Sequence, residues 1–102
     1  MVKLRIKGKL CVERAANGRL KLSIQNPGLL DHWLLRWKLQ AGYGFRREGR
    51  RILGVGEGIV PDFVRERLRL EAGFDDFSGI YLLACDDEGD RFLTEFAQEL
   101  AP

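Results

Sequence analysis

Lysine is absent from this chain after Lys38, and only four arginines follow residue 51. Histidine occurs once, as His32, and cysteine twice, as Cys11 and Cys85. So few cysteines exclude a disulfide scaffold and a four-cysteine zinc site. Both lie in apolar strand patterns, which predicts reduced, buried thiols and a cytoplasmic protein. Long hydrophobic runs are missing too, and none approaches the roughly 18 residues that a membrane span needs. The opening MVKLRIKGKL alternates where a signal peptide would hold a continuous apolar segment, so neither export nor membrane association is expected.

The chemistry-bearing patterns are incomplete. Asp86, Asp87, Glu88 and Asp90 crowd together, but an EF-hand loop counted from Asp86 would need glycine where Arg91 stands and glutamate where Ala97 stands. Gly79-Ile80-Tyr81 matches half of the GIY-YIG nuclease signature, and the other half is absent. Pro61-Asp62 resembles the start of a nuclease motif whose lysine cannot follow. His32 adjoins Asp31, yet neighbours in sequence do not face one another on a helix. With no phosphate-cradling loop and no nucleophile setting, the expectation is a non-enzymatic binding module with no metal and no cofactor.

What is present is a charge gradient on an ordinary globular composition. The 102 residues are 45% hydrophobic and 31% charged, the size and make-up of one domain spanning 1–102. Thirteen Lys/Arg stand against three Asp/Glu in residues 1–51, a balance of +10, whereas residues 52–102 carry −8. Such asymmetry points to a basic surface for a polyanion, or to pairing of basic and acidic surfaces within or between chains.

Periodicity gives the fold expectation. Apolar residues occupy Val2, Leu4, Ile6, Leu10 and Val12, then Leu20, Leu22 and Ile24, a period of two that predicts a hairpin. A two-residue Asn17-Gly18 turn would set Leu10 against Gln25. A three-residue loop with Gly18 left-handed sets Leu10 against Ile24 and Val12 against Leu22, keeping one face dry. Asn26-Pro27 reads as a helix start, with Leu30, Trp33, Leu34, Trp37 and Ala41 as its buried stripe and Gly42 as its stop.

RWKLQAGY at 36–43 returns as RLRLEAGF at 67–74. This predicts a duplicated unit: a second hairpin around Arg47-Glu48-Gly49 with Tyr43 facing Leu53, then a second helix from Pro61 to Ala72-Gly73. GIYLLAC, 79–85, predicts a strand buried on both faces. Phe92, Leu93, Phe96, Ala97 and Leu100 form a helical stripe. The fold class expected is α+β, a duplicated β-hairpin–helix unit (ββα-ββα) followed by a C-terminal strand and helix, with a mainly antiparallel sheet and helices packed on it.

On that register Lys3, Arg5, Lys7, Lys9, Arg19, Lys21, Arg46 and Arg50 share the sheet face opposite the core. They are the candidate contacts for nucleic acid or another polyanion. The competing expectation is a protein-interaction module, an adaptor or inhibitor that binds an acidic protein surface or a second copy of itself.

Overall fold

The computed structural model describes residues 6–76 and 78–101. Strands β1 (Lys9–Arg14) and β2 (Leu20–Gln25) form the expected hairpin. Leu10 faces Ile24 and Val12 faces Leu22. Gly18 sits at φ +80°, the left-handed conformation that the bulged turn requires.

A short helix α1 (Asp31–Trp37) follows and runs into a π-helical turn, Lys38–Gly42. Strands β3 (Arg46–Glu48), β4 (Ile52–Gly54), β5 (Glu57–Arg65), β6 (Leu68–Asp75) and β7 (Gly79–Ala84) come next, then helix α2 (Asp87–Leu100). All seven strands join one sheet in the order β1-β2-β7-β6-β5-β3, with β4 also on β5. Every pairing is antiparallel. The α+β class and the mainly antiparallel sheet are as expected, whereas the duplicated unit is not present.

Three departures explain the difference. β3 and β4 pair with β5 and not with each other, so Tyr43 does not face Leu53. Gly49 has the expected positive φ, +115°, but Leu53 is exposed. The expected second helix is replaced by the β5–β6 hairpin. Its residues alternate Leu68, Leu70 and Ala72 into the core, and Pro61 lies in the irregularity between Val60 and Phe63. A bulge tolerates proline because a ladder hydrogen bond is already missing there.

The first helix also starts later than Asn26-Pro27, and Asn26 itself takes φ +50°. Its buried residues are Leu34, Leu35 and Leu39. Of the expected stripe only Leu34 is buried: Trp33 and Trp37 are 53% and 52% exposed, and Leu30 and Ala41 are exposed too.

The core lies on one sheet face. It joins Leu22 and Ile24 of β2, Leu68, Leu70 and Ala72 of β6, and Ile80, Leu82 and Ala84 of β7 to Phe92, Leu93, Phe96 and Leu100 of α2, with Leu35, Leu39 and Phe45 beside them. On β7 only alternate residues are buried, so the expected burial of both faces is corrected to one buried face and one half-covered face. Cys85 is exposed and Cys11 half-buried, which corrects the expectation of two buried thiols. Asp86 caps α2 by accepting the Gly89 N–H at 2.8 Å, and acids fill the first turn where the helix dipole favours them. No helix among the described residues is long and apolar enough to cross a membrane.

Candidate interaction surface

The cations singled out by alternation do not gather on one face. Lys3 and Arg5 lie outside the described residues. Lys7 is exposed, but it precedes β1 and its N–H donates to Asp31. Lys9 and Lys21 do point to the face away from the helices. There Lys21 Nζ donates to Ser78 Oγ and lies 4.9 Å from the Tyr81 ring centre.

Arg19 turns to the helix side instead. It pairs with Asp87 at 2.6 Å and Asp90 at 3.2 Å, joining the first hairpin to the start of α2. Arg46 pairs with Glu48 at 3.4 Å, and Glu48 also accepts from Arg69, which reaches Asp62. Arg50 is exposed between β3 and β4. The described part of the open face therefore mixes charges, with Glu13, Glu48, Asp62 and Glu71 among its cations.

A different surface forms around α1. Asp31 is 1% exposed, and its carboxylate accepts the N–H groups of Lys7 at 2.8 Å, Gly8 at 2.7 Å and Gly28 at 2.8 Å. That knot pins the chain ahead of β1 to the start of the helix and fixes which way α1 is rotated. With Leu34, Leu35 and Leu39 turned inward, the outer side carries Leu29, Leu30, Trp33 and Trp37. The two indoles stack at 6.2 Å between ring centres with a 10° angle between planes.

Cations border this apolar stripe. Arg36 lies on the same helix, exposed, and Arg51 comes from the loop before β4. Arg47 rests 4.0 Å from the Phe63 ring centre and donates to the Pro61 carbonyl at 2.8 Å. Burial pushes the His32 pKa below its ordinary value, and the positive field of Arg36, Arg47 and Arg51 pushes it the same way. Between His32 and Arg47 the sequence has no acid, and Asp31 is spent on backbone amides.

Two hollows flank these elements. An open groove of about 500 Å³ runs between Pro27, Gly28 and His32 on one side and Gly56 and Asp76 on the other, over Phe74 and Ile80. A second, of about 270 Å³, lies near Ile52, Glu57, Ile59 and Tyr81. Among the described residues no group of three His, Cys, Asp or Glu could hold a metal ion.

The chain matches no protein-family model, no curated protein and no solved structure. The surface must therefore be read from its own chemistry. Sequence periodicity missed it because Leu30, Trp33, Leu34 and Trp37 make an equally good helical stripe when the helix is rotated by one residue. The usable signal was the acid-free stretch from His32 to Arg47, where a tryptophan pair and Arg36 share one helix.

Proposed function

We propose that the protein is a protein-interaction module whose α1 docks on an acidic partner surface with an apolar centre. The observation that carries this reading is the exposed Trp33–Trp37 stack, continued by Leu29 and Leu30, with Arg36 on the same helix and the charges of Arg47 and Arg51 felt at the adjacent His32. Large apolar side chains gathered on one exposed helix face mark binding surfaces in soluble proteins, and tryptophan with arginine dominates interface energetics. The cationic border selects carboxylates at the rim of the partner and speeds encounter more than it tightens the complex.

Single-stranded nucleic acid is the second reading, favoured by indoles beside arginines, since bases stack on aromatic faces. Tryptophan fluorescence separates the two during titration with a Glu/Leu-rich amphipathic peptide and, in parallel, with an oligothymidine. The expected outcome is a saturable shift with the peptide that vanishes in the Trp33→Ser/Trp37→Ser variant while its melting temperature stays within a few degrees. Saturation by the oligonucleotide alone would move the reading to nucleic acid, and silence toward both would reject this surface.

A further inference from the structure

We infer that the chain forms a two-fold symmetric dimer by antiparallel pairing of β1 with β1 of a second copy, with Cys11 facing Cys11 across the axis. Among the described residues no strand covers the outer edge of β1. An uncovered edge is a template for another strand unless its side chains oppose that pairing. Here they favour it.

The hydrogen-bond phase comes first. Ala15 N–H donates to the Arg19 carbonyl at 2.8 Å, and the register then runs unbroken along the hairpin. Hydrogen-bonded and non-hydrogen-bonded pairs alternate in an antiparallel ladder. The backbone groups of Lys9, Cys11 and Glu13 therefore point at β2, and those of Leu10, Val12 and Arg14 point outward. A symmetric partner strand must match even-numbered residues with even-numbered ones, which limits the allowed registers.

Of these, the register centred on Cys11 pairs Leu10 with Val12 of the partner, and Val12 with Leu10, by reciprocal backbone bonds. Lys9 then stands opposite Glu13 of the partner, and Glu13 opposite Lys9. Opposite charges directly across a pair stabilise a sheet, and like charges oppose it. Neither Lys9 nor Glu13 is engaged in an ion pair among the described residues. Val12, 44% exposed in the single chain, gains an apolar neighbour on the helix side. The occupant is a second copy because one six-residue strand, KLCVER, supplies both halves of every pair. This edge is separate from the α1 surface, so the inference goes beyond the function proposed above.

Cys11 provides the geometric check. On the axis it forms a non-hydrogen-bonded pair, where Cα atoms approach to about 4.5 Å, inside the roughly 4.4–6.8 Å range of disulfides. Sedimentation and thiol cross-linking of the full chain test the pairing. In a Cys85→Ser background, diamide should join two chains through Cys11, its azo bond taking up the two electrons and two protons that the thiols lose. Without oxidant the chain should sediment with the mass of two chains when concentrated.

Lys9→Glu or Glu13→Lys alone places like charges in both symmetric pairs and should weaken the dimer about tenfold, whereas the double exchange should restore it. The Trp33→Ser/Trp37→Ser variant should dimerise normally, which keeps this result distinct from failure of the α1 surface. A monomer at every concentration overturns the pairing. So does a dimer indifferent to the single reversals, or one that diamide fails to link through Cys11.

Discussion

Asp31 shows how far one side chain can act. A buried carboxylate is costly unless its lone pairs are filled, and three backbone N–H groups from two separate segments fill them here. Asp31→Ala removes the acceptor and leaves the part-buried amides of Lys7, Gly8 and Gly28 without that partner. The expected loss is about 3 kcal/mol or more, read from chemical denaturation, and α1 should become the least protected helix in hydrogen exchange. In the sequence Asp31 was visible only as a neighbour of His32, because a carboxylate bonded to distant amides leaves no local pattern.

His32 itself predicts a pH dependence. Its folded pKa lies below the ordinary 6.5, from burial first and then from the arginines. The unfolded chain therefore takes up the proton before the folded one does. Stability is full above about pH 6.5 and falls as pH drops through that value toward the lowered folded pKa. Melting temperatures measured down that range should show a fall that His32→Gln flattens. An unchanged slope would mean that other groups control it.

At the scale of elements, one phrase of sequence takes two structures. RWKLQAGY enters a helix and its π-helical turn, whereas RLRLEAGF, from Leu68 on, lies in strand β6. Helical propensity favours both copies, and the surroundings decide between them. Residues 68, 70, 72 and 74 alternate apolar against β5 and β7, so the strand buries a full face between two neighbours. Around the first copy, Leu35 just before it and Leu39 within it stand four apart and reach the core, and glycines follow at 42 and 44.

The turn that makes β6 a strand was hidden as well. Arg65-Glu66-Arg67 carries no glycine, asparagine or proline, and Glu66 is nonetheless held at φ +55°. A side chain in that conformation costs about 1 kcal/mol, partly offset in glycine by the freedom it adds to the unfolded chain. Glu66→Gly should therefore raise stability by roughly 0.5 kcal/mol, seen as a higher melting temperature, and a lower one would show that the exposed Glu66 side chain matters.

For the whole molecule, the first hairpin, α2 and the class of the sheet were legible because each is specified by a local period and a local turn or cap. The pairing of β3 and β4 with β5 was not, since those strands are three residues long and reveal their partners only in space. The charge gradient was legible, but its meaning changed. Arg19 and Lys38 spend their charge on Asp87, Asp90 and Glu99 of α2, so part of the contrast between the two halves is neutralised inside one chain. Other exposed cations, Arg36 on α1 and Lys9, Arg14, Arg50, Arg51, Arg67 and Arg91 elsewhere, are in no ion pair among the described residues.

The strand order carries a further consequence, in time rather than space. β2 pairs directly with β7, bringing residues 21–24 against 80–83. During synthesis the first hairpin must wait, without its sheet neighbour, until β3 to β7 have left the ribosome. In that interval the inner edge of β2 is bare, as is, among the described residues, the outer edge of β1. Contacts this distant in sequence close slowly, because the loop entropy is lost before the pairing compensates it. The nascent chain thus passes through a stage with both flanks of one hairpin open, when chaperone capture competes with completion of the sheet.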